Sequence, residues 1–211
     1  LDYTDSRAYW NHPSGEGRFA NTPMLGSTHT IMDDLGFQKL AGKPFFISEW
    51  DEPWPNEWRA ELPLWMAATA AFQDWDGLTV YTYRHSVSLP CDSISGAFET
   101  FNDPARFGLF ANAALIYRRG DIKVGTHPVA VCLPRDTAAS AASPTPWNTK
   151  AYHGLSTVSR FATVLGESAP PGTTRMDAAT SLPTTAVRRS STGEIVQTPA
   201  ERLLVLDTPR S

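Results

Sequence analysis

The apolar positions divide the chain into two textures. Phe45-Phe46-Ile47 is an unbroken apolar run between Pro44 and Ser48-Glu49, the pattern of a strand buried on both faces of a parallel sheet. Ile31, Leu35 and Leu40 recur at helical intervals and predict a short helix over 28–40, which Gly42-Lys43-Pro44 ends. After the turn at Trp54-Pro55-Asn56, the residues Trp58, Leu62, Trp65, Ala68 and Phe72 recur every three or four positions and predict a second helix. Pro63 either breaks it or stands in its first turn, with 56–61 as a separate turn. Leu78 to Tyr83, after Gly77, reads as a strand, so strand, helix and strand form a βαβ unit. Asp103-Pro104 pairs an N-cap with a first-turn proline and opens a third helix, carrying Phe107, Phe110, Ala114 and Tyr117, that ends near Gly120.

Beyond Asp121 the texture changes. His127–Leu133 reads as a strand, Thr137–Thr149 as a surface loop, Leu155–Leu165 as a short helix and Ser168–Thr174 as a loop. Three short strands follow, at 186–190, 194–197 and 203–206, the first two joined by a Ser191-Thr192-Gly193 hairpin turn. A boundary near residue 125 then separates an α/β part, 1–125, from a mostly β part, 126–211.

Composition narrows the classes. The 211 residues are 41% apolar and 19% charged with a net charge of −4, which excludes a disordered chain and makes a poor nucleic-acid binder. No apolar run reaches the ~18 residues of a membrane span. Cys91 and Cys132 have neither CxxC spacing nor zinc-spaced histidines and read as isolated thiols, so neither a metal nor a cofactor is expected. The chain starts at Leu1 rather than Met and reads as a piece of a longer protein, which leaves export open.

The candidate chemistry lies at strand ends. In a parallel α/β sheet or barrel, groups at the carboxyl ends of strands face the ligand crevice. Glu49 follows the apolar run directly, which places a carboxylate there. The first segment ends in Tyr9-Trp10-Asn11-His12, and Tyr81-Thr82-Tyr83-Arg84-His85 ends the last strand. Rings that stack on sugar faces, with polar groups for hydroxyls, make a carbohydrate the expected ligand. Tyr9, Trp10, His12, Trp50, Trp54, Tyr83 and His85 are the candidate contacts, with Tyr83 preferred to Tyr81 for its depth. Glu52, Glu57 and Glu61 read instead as an ion-pair cluster around Arg59, and His29, His127 and His153 as structural.

Ile47-Ser48-Glu49-Trp50, Trp54-Pro55-Asn56-Glu57-Trp58-Arg59-Ala60-Glu61 and Gln73-Asp74-Trp75-Asp76-Gly77-Leu78 resemble the seventh- and eighth-strand region of clan A retaining glycoside hydrolases. Asp5 to Pro13 resembles their sixth-strand loop, and Ala114 to Asp121 their last barrel helix. Thr192 to Ile195 and Asp207 to Arg210 resemble strands of a β-sandwich that follows the barrel in some members. The resemblance implies part of a (β/α)8 barrel, approximately strands six to eight, then a partial β-sandwich. It implies that Glu49 is the nucleophile of a double displacement. The acid/base Glu, which follows Asn at the end of strand four, has no counterpart, since Asn56-Glu57 lies in the turn after strand seven. It implies too a parent enzyme that is secreted or periplasmic. The rival from another class is a non-catalytic carbohydrate-binding protein with an aromatic cleft. An amidohydrolase-like barrel would need a His/Asp metal set that the sequence does not present.

Overall fold

The structure, a computed structural model, describes residues 2–88, 92–145, 152–177 and 186–210. Cys91 and the end of the Thr137–Thr149 stretch lie outside them. The first part is two consecutive βαβ units: β1 (Thr4–Tyr9), α1 (Ile31–Gln38), β2 (Phe45–Asp51), α2 (Leu62–Gln73) and β3 (Gly77–Val80). The three strands are parallel in the order β1-β2-β3, and α1 and α2 cover one face. Ala8, Phe45, Ile47 and Trp50 from the strands meet Ile31, Leu35, Leu62, Trp65 and Met66 in that core. α3 (Pro104–Arg119) packs against α2.

Local chemistry sets the helix ends. Thr30 and Asp33 form a capping box on α1, with Asp33 accepting from the Thr30 N–H at 3.1 Å. Pro63 sits in the first turn of α2, where a missing N–H costs nothing, so 62–73 is one helix. Asp103 caps α3 by accepting from Ala105 N–H at 3.1 Å, and Gly120 closes it at φ 62°.

One irregularity decides which side chains face which way. β1 pairs with β2 in register to Ser6–Ile47, and the next pair is Arg7–Glu49, so Ser48 is an extra residue in β2. Its N–H donates to Asp5 Oδ1 at 3.1 Å, and its carbonyl accepts from Thr79 Oγ1 at 2.7 Å. Side chains of both neighbouring strands thus take the backbone groups that the ladder leaves free. Without the bulge, strict alternation would put Glu49 on the Phe45 and Ile47 face, against the helices.

Residues 126–211 differ from the expected partial sandwich. β4 (Val129–Leu133), β5 (Phe161–Leu165) and β6 (Thr174–Asp177) form a parallel sheet in the order β5-β4-β6, with α4 (Arg135–Ala138) and α5 (Leu155–Val158) between β4 and β5. The helix expected over 155–165 splits into a single turn and a strand, because Thr163 hydrogen-bonds residues 39 and 41: its N–H donates to Lys39 O and its carbonyl accepts from Ala41 N–H. β7 (Arg188–Arg189), β8 (Ile195–Thr198) and β9 (Leu203–Leu206) form an antiparallel sheet, and Gly193 takes the left-handed turn position at φ 79°.

Bonds cross the boundary expected at 125 throughout. Gln73 Nε2 donates to Ser156 O and Ser159 O, both at 2.7 Å, and Gln73 Oε1 accepts from Phe161 N–H at 3.0 Å. The buried Asp33 accepts from Ser156 Oγ at 2.6 Å. Phe72 and Ile195 share a core cluster. The second part therefore covers the outer side of α1 and α2, and among the described residues the opposite face of β1-β2-β3 stays open. Each of β1 and β3 pairs only with β2 among the described residues. Along the β3 edge runs a groove of about 640 Å³ lined by Phe46, Leu78, Val80, Tyr83, Phe110 and Tyr117, among others.

The seam between the parts tolerates no added volume. A Cβ on Gly36 of α1 would lie 2.3 Å from Phe161 Cε1. Alanine gains ~1 kcal/mol of helix propensity there, against roughly 1–3 kcal/mol for overpacking a closed core. Gly36→Ala is expected to lower stability in urea melts, and Phe161→Leu in the same chain to restore part of the loss. A stabilised Gly36→Ala would mean that the seam is loose.

Candidate functional site

The open face carries the chemistry. Arg7 and Tyr9 of β1 and Glu49 of β2 share it, Arg7 directly opposite Glu49. Tyr9 donates its hydroxyl proton to Glu49 Oε2, and Arg7 Nη1 lies 3.5 Å from Oε1. The Glu49 side chain is 26% exposed: neither free in solvent nor under the sheet. Burial first, then the Glu49 hydrogen bond, holds the Tyr9 phenol above its ordinary pKa, so it stays a donor. With Arg7 mostly exposed, the ion pair contributes at most about 1 kcal/mol.

Aromatic rings cluster around Tyr9, the donor to this carboxylate. Tyr9 meets His12 edge-on at 5.0 Å, Phe98 at 5.3 Å and Tyr81 at 6.4 Å, and Tyr81 meets Phe98 at 5.7 Å. His12 is exposed, with Nδ1 2.7 Å from the Pro13 carbonyl, so a proton on Nδ1 leaves Nε2 as an acceptor. His85 is tied through Nδ1 to Glu99 and through Nε2 to Tyr81 Oη at 3.2 Å.

Three expected contacts lie elsewhere. Trp50 is 4% exposed and stacks on Phe110 at 5.8 Å inside the core, since alternation after the bulge turns it away from Glu49. Trp10 is half-buried against that core and donates Nε1–H to Thr22 O at 2.8 Å. Tyr83 packs on Phe101 and Phe107 and lines the β3-edge groove. The strand ends at Val80, and the chain then pairs with 98–101: Thr82 N–H donates to Phe98 O and Phe101 N–H to Tyr83 O. Tyr81, not Tyr83, therefore faces Tyr9. Trp54 is exposed at the rim, its N–H on Ala97 O at 2.8 Å. Phe98 and Glu99 had no signal in the sequence, since only long-range pairing brings 92–101 to the strand ends.

Behind the site lies a buried ionic network. Arg106 Nη1 donates to Asp51 Oδ1 at 2.6 Å, and its Nε to Asp103 Oδ2 at 2.8 Å. Its Nη2 donates to the Glu99 carbonyl. Arg59, expected to serve Glu57 and Glu61, instead binds Asp103 through Nε at 2.7 Å. Glu61 accepts the Met24 and Leu25 N–H groups, while burial pushes it up to about 7. Glu52 is fully buried, and neither carboxyl oxygen has a hydrogen-bond partner among the described residues. Burial, with the nearby Glu61 and Asp51 carboxylates, pushes Glu52 up to about 9, so it is a neutral acid at pH 7. No group of three or more metal-type ligands occurs among the described residues. Cys132 is buried and unbridged.

No family model, no curated protein and no solved structure matches this chain.

The Glu52 carboxyl sets a pH slope. Below its unfolded value of 4.5 it is protonated in both states. Between 4.5 and about 9 only the folded state keeps the proton, so raising pH favours unfolding by up to about 1.4 kcal/mol per unit. Urea midpoints at pH 5 and pH 8 are expected to fall with pH in the unsubstituted chain and to fall less in Glu52→Gln. An unchanged slope in the variant would remove Glu52 as its source.

Proposed function

We propose that this chain is the carboxyl-terminal part of a retaining glycoside hydrolase barrel acting on a poly- or oligosaccharide, with Glu49 as nucleophile. The observation that carries the reading is the Glu49 carboxylate itself. It stands on the open face, near the carboxyl end of a parallel sheet, hydrogen-bonded by Tyr9 and paired with Arg7, and the Tyr9 ring that holds it packs against His12, Tyr81 and Phe98.

The chemistry follows from that placement. A carboxylate oxygen of Glu49 attacks the anomeric carbon as the bond to the leaving oxygen breaks, forming a covalent glycosyl-enzyme. The Tyr9 proton and the Arg7 charge stabilise Glu49 as a carboxylate before attack and again when water releases the sugar. A second carboxyl group, ~5–5.5 Å from the first, protonates the leaving oxygen and then activates that water. Asp51 is committed to Arg106, and Glu52 is sealed behind the sheet, so neither fills that role. The acid/base on this reading comes from a strand outside the sheet β1-β2-β3.

Aryl glycosides offered to this chain and to the same chain extended upstream test the reading. The 211-residue chain is expected to be inactive and the longer one active. Glu49→Ala in the longer chain should lose roughly 10⁴-fold in kcat. Added azide should restore turnover and give a glycosyl azide of inverted configuration, because azide fills the space of the lost carboxylate. Near-full activity in the variant, or no azide product, would strip Glu49 of the role. Sugar binding without turnover in either chain would favour a binding module.

A further inference from the structure

A second hydrogen-bonded line reaches Tyr81, beside Tyr9 on the open face, from the side opposite β1. It starts at Glu99, which is 3% exposed. The Glu99 carboxylate accepts the His85 backbone N–H, at 3.0 and 3.2 Å to its two oxygens, and faces His85 Nδ1. Across the ring, His85 Nε2 is 3.2 Å from Tyr81 Oη. The Tyr81 ring packs edge-on against Tyr9, whose hydroxyl is on Glu49. The Arg106 guanidinium holds the Glu99 carbonyl, so the start of the line is anchored in the core.

Donor and acceptor counting gives this line a direction. A carboxylate only accepts, so the ring nitrogen facing it carries the proton. A neutral imidazole has one ring proton; with it on Nδ1, Nε2 is an acceptor. The Tyr81 hydroxyl then donates to Nε2, and its own lone pairs remain for a ligand. We propose that Glu99 and His85 are positioning residues that fix Tyr81 Oη as a hydrogen-bond acceptor beside Tyr9 and Glu49, where it selects a sugar hydroxyl able to donate. That the ligand is a sugar rests on the glycosidase reading; the direction of the line does not.

Glu99→Leu removes the acceptor with little change of volume. Without it the neutral ring falls back on its intrinsically preferred Nε2–H form, which donates to Tyr81 Oη, and the Tyr81 hydroxyl becomes the donor toward a ligand. The test has two arms on this chain. Long-range ¹H–¹⁵N spectra of the histidine rings at neutral pH are expected to show the Nδ1–H tautomer for His85 and a shift toward the Nε2–H tautomer in Glu99→Leu. An Nε2–H or cationic ring in the unsubstituted chain overturns the proposal. Methyl hexosides and their monodeoxy and monofluoro derivatives are then titrated. At one ring position, loss of the hydroxyl and its replacement by fluorine should each weaken binding about tenfold, since fluorine cannot donate. Glu99→Leu should recover the fluoro compound alone, and Tyr81→Phe should abolish the discrimination. Fluoro compounds that bind the unsubstituted chain as well as the parent sugar overturn the proposal, and so does failure to bind any hexoside. The azide experiment on Glu49 reads out separately, so a failed nucleophile and a failed Tyr81 acceptor are told apart.

Discussion

The bulge at Ser48 governs the site. Strict alternation from Phe45 would send Glu49 into the helix-facing core, where an unpaired carboxylate could not stay charged. One extra residue reverses the parity, so Glu49 takes the open face beside Arg7 and Tyr9, and Trp50 takes the core. The reversal costs a pair of ladder hydrogen bonds, and the side chains of Asp5 and Thr79 replace them. Those two residues come from the strands on either side, so the bulge is held only when all three strands are assembled. Placement of the carboxylate is thus a property of the sheet and not of the strand that carries it.

The second constraint is Arg106. It reaches from α3 to Asp51 at the end of β2, to Asp103 at its own helix start and to the Glu99 carbonyl. A buried ionic set of this kind adds little net stability compared with an apolar substitute, whereas its geometry is demanding. What it supplies here is position: the end of the Glu49 strand, the start of α3 and the Glu99 segment are fixed to one planar group. The strand end beside Glu49 and the Glu99 segment that meets His85 are both set by that group.

Local signals in the sequence carried the parts of the fold that local chemistry decides. The capping box at Thr30, the Asp103-Pro104 start of α3 and the run from Phe45 to Ile47 all mark elements where they occur. The position of Glu49 near the carboxyl end of β2 is legible because a strand end is a local feature. Trp50 was misplaced because the bulge depends on residues 43 and 31 positions away. Tyr83 was preferred to Tyr81 because alternation was carried past Val80, where the ladder stops and pairing with 98–101 begins. The strand at 161–165 read as helix because its apolar spacing suits either element, and the deciding bonds come from Lys39 and Ala41. Each miss is a long-range hydrogen bond overriding a local pattern.

The two faces of the first sheet are unequally finished, and that inequality bears on chemistry. Residues 126–211 cover the helices at the back, while Arg7, Phe46 and Glu49 stand on a front without a layer over it among the described residues. Water at that front weakens each charge interaction: a pair worth about 4 kcal/mol at an effective dielectric of 20 falls to about 1 in bulk water. On the glycosidase reading, Tyr9 and Arg7 set the geometry of the nucleophile, and further strands supply both the second carboxyl group and the dry surroundings in which that geometry becomes effective. Phe46 is 38% exposed on the same face, three residues before Glu49, and its ring lies over Gly77, where a Cβ would come within 2.5 Å of Cε2. An apolar ring that lines the β3-edge groove and shares a face with charged groups is arranged for a covered site, so on the glycosidase reading the strands that cover it and the carboxylate they serve are two halves of one requirement.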